Sequence, residues 1–233
     1  MATAAEGSMA RIAASRDDIG GSSTAARIAR LLREQITDGE LVPGERLREG
    51  PLSEAAGVSR NTTREAFRLL AQEGLVVHEF NRGVFVRRLT ATDLNDVYRV
   101  RRILECEGVR GAAEAGPEAI ARVSAAVAEG ERAAEADRWR DVATADIRFH
   151  RALAALCDSP RVDDMMERIL AELRLVFHAM GPRREFHGPY LRRNRTIADL
   201  LERGDTEGAE RELRDYLDTA QEQLGEAYRR LEQ

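Results

Sequence analysis

Lysine is missing from this 233-residue chain: all 36 of its basic side chains are arginine. With alanine abundant, that bias reads as GC-rich coding and carries no mechanism. Aromatic residues make up only 5% of the chain, so the interior has to be filled by Ala, Leu, Val and Ile rather than by large rings. Cysteine occurs twice, as Cys106 and Cys157, far apart and outside any CxxC spacing, which excludes a disulfide framework and fits a reducing compartment. No uninterrupted apolar run approaches the length of a membrane span. The opening residues also lack the apolar centre of a secretory signal. The expectation is a soluble cytoplasmic protein with no membrane partner.

What is present is globular: 43% apolar and 33% charged residues, in a length that suits two ordinary domains. The formal charge of −5 is unevenly spread. Residues 23–88 carry 11 Arg against 9 acids, whereas residues 89–233 carry 23 against 29. A mildly cationic first domain is compatible with a polyanionic partner, provided its cations cluster locally.

Residues 1–21 show no periodic apolar face and read as a disordered arm, leaving domains at 22–88 and 89–233. Ile28, Leu31, Leu32 and Ile36 recur at helical spacing and predict a first amphipathic helix. Pro51 fits the first position of a short second helix that Gly57 closes. Ser59 caps a third, which runs to Gly74 on an apolar face of Ala66, Phe67 and Leu70. Two helices joined through Gly57-Val58-Ser59 make a helix-turn-helix. Opposite the apolar face stand Arg60, Asn61, Arg64 and Arg68. Arginine forks onto guanine or phosphate and asparagine pairs with adenine, so this face has major-groove chemistry; Ser59 and Thr62 add phosphate donors at the helix start. Residues 75–80 and 84–87 alternate as strands around Asn81-Arg82-Gly83, a hairpin wing whose Arg82 would reach a minor groove or phosphate.

The order helix, helix-turn-helix, wing, with Pro43-Gly44-Glu45-Arg46-Leu47, Leu52-Ser53-Glu54, Gly57-Val58-Ser59-Arg60, Arg64-Glu65-Ala66 and Glu73-Gly74-Leu75-Val76, resembles the GntR family of bacterial regulators. The resemblance implies operator contacts from Arg60, Asn61, Thr62 and Arg64, with Arg82-Gly83 in the minor groove. Where the family often has a basic residue, Gly50-Pro51 stands here, so a phosphate or base contact is expected either to be missing or to be taken over by Arg48 or Arg46.

Beyond Leu89 there is no strand signal. Six helices are read at 92–114, 117–136, 138–157, 160–180, 187–203 and 205–230, an antiparallel all-α bundle, so the fold class is mainly α. Asp146 and His150 share a face at i and i+4. On spacing alone they form either a side-chain pair or half of a metal site. Arg101, Arg148 and Arg174 are candidates to fork a carboxylate. His178 and His187 read as surface or capping residues.

Asp93-Leu94, Val100 to Glu105, Asp146 to His150 and Ile197 to Asp205 resemble the FCD effector domain of the FadR branch; six helices favour the VanR-like version. That resemblance implies an organic-acid effector held near a metal by Asp, His and two further histidines. Those two histidines fall on Asn194 and Tyr216. The expected pocket is therefore Arg101, Asp146, His150, Arg174, Asn194 and Tyr216, and more in keeping with hydrogen bonding than with a divalent ion (Zn, Ni or Mn) on Asp146, His150 and Asn194. The function expected is a repressor that binds a palindromic double-stranded operator as a homodimer. Two rivals are a metal-dependent helical hydrolase and a DNA-binding protein whose bundle only dimerises.

Overall fold

Ser23 opens the first helix by accepting the Ala26 N–H on its side-chain oxygen at 3.2 Å. The computed structural model describes residues 23–180 and 184–231, leaving aside the side chains of 178–180, 230 and 231. The 1–21 arm and the side chain of His178 therefore lie outside the described residues. Helix α1 (Thr24–Thr37) buries Ile28, Ala29, Leu32 and Ile36, the stripe expected from its spacing. Helix α2 (Glu49–Ala56) starts two residues ahead of Pro51. The missing proline N–H costs nothing there, because none of the first four N–H groups of a helix has an intrahelical partner. Gly57 ends it at φ 66, a left-handed cap that glycine adopts without strain.

Helix α3 (Arg60–Gln72) follows at once, capped by Ser59, which accepts from Thr62 N at 3.1 Å. Between α2 and α3 the buried hydroxyls of Ser53 and Thr63 meet at 2.8 Å, a contact that sets how the second helix projects from the first. Arg33 on α1 forks onto Glu73 at 2.7 and 2.8 Å and ties the end of α3 to α1. A three-stranded antiparallel sheet completes this unit in the order β1-β3-β2, from β1 (Arg46–Leu47), β2 (Val76–Glu79) and β3 (Gly83–Val86). The β2–β3 hairpin is the wing expected from the alternation. Strand β1 was not expected, and it pairs Arg46 with Phe85 and Leu47 with Val84.

The chain divides into two compact units between Arg88 and Leu89. The second unit contains α4 (Ala91–Arg110), a short 3₁₀ turn (Gly111–Ala113), α5 (Pro117–Glu135), α6 (Trp139–Ala155), α7 (Pro160–Met180), α8 (Arg184–Glu202) and α9 (Thr206–Leu231). Thr90 and Asp93 cap the start of α4 reciprocally. Pro117 occupies the first turn of α5, the position its lost N–H and fixed φ suit. Helix α8 begins earlier than its sequence suggests and carries Pro189 inside it. Helix α6 is central and packs against α4, α5, α7 and α8, while α9 closes over α4 and α8.

Helices α4 and α6 approach closely at Gly108, where an added Cβ would lie 2.1 Å from the Leu153 carbonyl oxygen. Backbone meets backbone there, one turn beyond the residues that form the buried polar cluster described below. Helix propensity alone predicts that Gly108→Ala stabilises by about 0.8–1 kcal/mol. The crossing predicts the opposite sign, a net loss of about 1–3 kcal/mol, because a carbonyl cannot rotate out of the way. The urea midpoint of the variant decides between them.

Candidate functional site

Two groups of polar side chains stand out, one in each unit. On α3, Arg60, Asn61, Arg64 and Arg68 are all exposed, while Thr63, Ala66, Phe67 and Leu70 of the same helix are buried. The cations and the amide thus emerge side by side. Thr62 and Ser59 share a hydrogen bond of 2.8 Å between their hydroxyls at the helix start. The ion pairs on this face are loose: Arg64 stands 3.8 Å from Glu49, and Arg68 3.2 Å from Glu65. Exposed pairs of this kind contribute only about 0–1 kcal/mol, so a phosphate can replace the carboxylate at little cost. Arg60 extends across Gly50, its Nη2 3.9 Å from where a Cβ would stand. The small residue at the position where a basic one was expected therefore gives room to a neighbouring guanidinium. Arg48 is exposed at the start of α2 with no side-chain cap bond. Arg82 at the wing pairs with Glu79 and lies over the Phe85 ring at 5.5 Å.

In the second unit a continuous hydrogen-bonded chain runs through the middle of the bundle. Arg101 Nε donates to Glu105 Oε1 at 2.7 Å, one turn along α4. The other Glu105 oxygen is 2.6 Å from His150 Nδ1 on α6, and His150 Nε2 is 3.0 Å from the Tyr216 hydroxyl of α9. Tyr216 donates to Asp146 Oδ1 at 3.2 Å, and Asn194 Nδ2 of α8 donates to the same oxygen at 2.7 Å. Every one of these side chains is buried. Beneath them, Tyr98 lies 4.7 Å from the Arg101 guanidinium, and Tyr190 packs edge-on against Tyr216 at 5.0 Å.

Burial works to discharge Arg101, but the attraction of Glu105 outweighs it and raises the arginine pKa. Burial likewise pushes Glu105 up, and Arg101 with His150 overrides that, so its carboxyl sits below the ordinary range. Burial, then Asp146, drive the Tyr216 phenol well above its usual value, so it stays a hydroxyl. Burial pushes Tyr190 up to about 12. Three buried atoms in this cluster have no hydrogen-bond partner among the described residues: Nη1 and Nη2 of Arg101, and Oδ1 of Asn194. A buried donor or acceptor left so costs about 1–3 kcal/mol, more when charged, which marks where a ligand group gains most.

Asp146, His150 and Asn194 do come together, but the arrangement does not fit a divalent ion. The Asn194 amide presents its N–H₂ to Asp146 Oδ1, and the Tyr216 hydroxyl is within hydrogen-bond distance of both that oxygen and His150 Nε2, while Asp146 Oδ2 stands 3.8 Å from Nε2. The amide orientation follows from its partner, since the reverse would set two oxygens against each other. Among the described residues no group of three or more His, Cys, Asp and Glu is placed to hold a metal. The residues anticipated around a metal, Asp146, His150 and Asn194, stand here in a hydrogen-bonded set with Tyr216.

Arg101, Tyr216 and Asn194 are in the cluster as expected, and Arg174 is buried on α7. Arg148 is not: it is half exposed, paired with Glu129, on an outer groove with Ala125 and Ala152. His187 is not at the surface: it is buried, edge-on to Phe177 and Phe186. Sequence reasoning passed over Glu105, which holds both Arg101 and His150. Its i,i+4 spacing from Arg101 was the available signal, but in an Arg-rich bundle that spacing usually marks a solvated pair.

The family model for bacterial regulatory proteins, gntR family, matches residues 24–86, and the FCD domain model matches residues 96–219. A crystal structure of a GntR transcriptional regulator from Rhodococcus sp. RHA1 superposes with a TM-score of 0.79 at 44% identity, covering 89% of this chain and 100% of that one. The HTH-type transcriptional repressor RspR of Escherichia coli K12 is 26% identical over 208 residues, 89% of this chain and 90% of RspR. The HTH-type transcriptional regulator YdhC of Bacillus subtilis is 40% identical over 74 residues, which span 32% of this chain and only 33% of YdhC. No helix among the described residues is long and apolar enough to cross a membrane.

Proposed function

Since the chain belongs to the GntR family of bacterial transcription regulators and carries an FCD domain behind its helix-turn-helix, we propose that it is a repressor released from its operator by a small organic acid. It is a regulator and not an enzyme, and the hydrolase alternative has no support. The operator is a palindrome bound by a homodimer, with Arg60, Asn61 and Arg64 at base edges. Arg48, Ser59 and Thr62 contact phosphate, and Arg82-Gly83 the minor groove. The repressor function named for RspR supports the sign of regulation.

The observation that carries the effector reading is the buried Arg101, whose Nη1 and Nη2 are unpartnered in the same cluster as the unpartnered Asn194 Oδ1. The first pair calls for a carboxylate, approached end-on because Nε is taken by Glu105. The second calls for a donor. A hydroxy or amino acid satisfies both. The site needs no metal, because Tyr216 already bridges Asp146 and His150. Release requires the acid to favour the DNA-incompetent state; a swing from 1:99 to 99:1 takes about 5.5 kcal/mol of differential affinity.

Thermal shift with lactate, glycerate, alanine and propionate, each with EDTA or with zinc, tests this. At a hundred times its Kd a ligand adds about 2.7 kcal/mol. A donor-bearing acid should raise Tm and propionate should not, EDTA should change nothing, and the same acid should free operator DNA in a gel shift. Strict dependence on zinc, or tight binding that leaves operator affinity unchanged, overturns the reading.

A further inference from the structure

Among the described residues of the first unit, two large apolar side chains are exposed, Val77 at the edge of exposure and Phe80 almost fully. Phe80 is 92% exposed, the most exposed of the large apolar residues among those described, whereas Phe67 is buried and Phe85 lies under Arg82. Single exposed apolar residues are ordinary. The placement of this one is not. Phe80 is the first residue of the turn Phe80-Asn81-Arg82 that forms the tip of the wing, closed by Arg82 N–H donating to the Glu79 carbonyl at 3.1 Å. Asn81 holds φ 58, the left-handed conformation that reverses the chain there.

Two guanidiniums border the ring's turn. Arg82 belongs to the turn itself. Arg46, from β1, spreads over Gly83, its Nε and Nη2 3.3 and 3.4 Å from where a Cβ would stand. One carboxylate, Glu79, pairs with Arg82, so the tip keeps a positive balance.

We infer that Phe80 is a wedge that deforms DNA: the phenyl ring enters a base step in the minor groove where the wing docks, with Arg46 and Arg82 on the flanking phosphates. Proteins that use the minor groove combine arginine with apolar wedges that part stacked bases and kink the duplex by about 20–90°. Charge selects this occupant. A second protomer or an apolar protein face would have to desolvate two guanidiniums to reach the ring, whereas a polyanion is drawn to them. Such a wedge reads sequence through deformability, favouring flexible pyrimidine–purine steps at the position it enters.

The inference rests on the proposed operator binding, and one experiment separates the two. Operator duplexes are selected from a random pool with the full wild-type chain. Affinity and bend angle are then measured for wild type, Phe80→Ala, Phe80→Leu and Arg82→Ala by fluorescence anisotropy and end-to-end energy transfer. Losing an aromatic–base contact of this kind weakens binding about tenfold. The expected result is that Phe80→Ala binds about tenfold more weakly and leaves the duplex straight, with urea unfolding and dimer dissociation unchanged. Phe80→Leu retains most of the bend. Arg82→Ala keeps the bend but lowers the salt slope by about one. Wild-type affinity and bend in Phe80→Ala overturn the wedge while leaving operator binding intact. A shift in dimer dissociation instead reassigns the ring to a protein contact. Failure of the wild-type chain to select any duplex overturns both readings.

Discussion

Glu105→Ala is expected to destabilise the second unit by about 3–5 kcal/mol, read from chemical unfolding at neutral pH, because it leaves a buried guanidinium with no carboxylate beside it. Arg101 is 0% exposed and cannot reach water without local opening. The loss belongs to the stranded charge more than to the pair, and a second variant shows this. Replacing both ends with apolar residues, Arg101→Met with Glu105→Leu, should recover most of the stability, since the stranded guanidinium is gone, while abolishing the effector response, since the group that would fork the acid is gone too. Additive losses in the double variant would mean that the pair itself stabilises the fold. The pH dependence has a fixed sign. The folded-state pKa of Glu105 lies below its ordinary value of 4.5, so its contribution is complete above that value and is lost as pH falls through the lower folded value. Glu105→Gln should flatten this acid limb by lowering stability throughout the neutral and alkaline range, where the carboxylate contributes in full.

Why Glu105 escapes a reading of the sequence is instructive beside what does not escape it. Local signals were enough wherever the physics is local. Gly57 at a left-handed cap, Ser59 over the Thr62 N–H, and Pro117 in a first turn are all decided within a few residues. The buried stripe of α1 and the exposed Arg60, Asn61 and Arg64 follow from the 3.6-residue period. Non-local pairing is where the signal runs out. Strand β1 is two residues long, and only its register against β3 makes it a strand. Arg101 and Arg148 look alike as cations on amphipathic helices, yet one is buried beside Glu105 and the other pairs with Glu129 at the surface. What separates them is which side of each helix the close α4–α6 crossing at Gly108 turns inward, and no local pattern encodes that. The resemblance to a metal-binding family placed Asn194 and Tyr216 correctly in space but could not say what they do there. Their hydrogen bonds to Asp146 answer that.

The second large effect concerns the outer face of α3. Arg60→Ala, Asn61→Ala and Arg64→Ala should each weaken binding to the selected operator by about 1–3 kcal/mol, the discrimination carried by one good base-edge contact. Combined, they should bring specific and random duplex to nearly equal affinity at moderate salt. None should lower the unfolding free energy by more than about 0.5 kcal/mol, because all three side chains are exposed and the Arg64–Glu49 pair is loose. Arg48→Ala serves as the contrast. If it touches phosphate, it should weaken specific and random duplex alike and reduce the salt slope by about one. Thr63→Val serves as the reverse contrast, since it breaks the buried 2.8 Å contact with Ser53 and so should cost stability before it costs recognition. The three-residue variant still telling operator from random duplex would remove base reading from this helix face and transfer it to the wing, where Phe80 and Arg82 would then have to carry all of it.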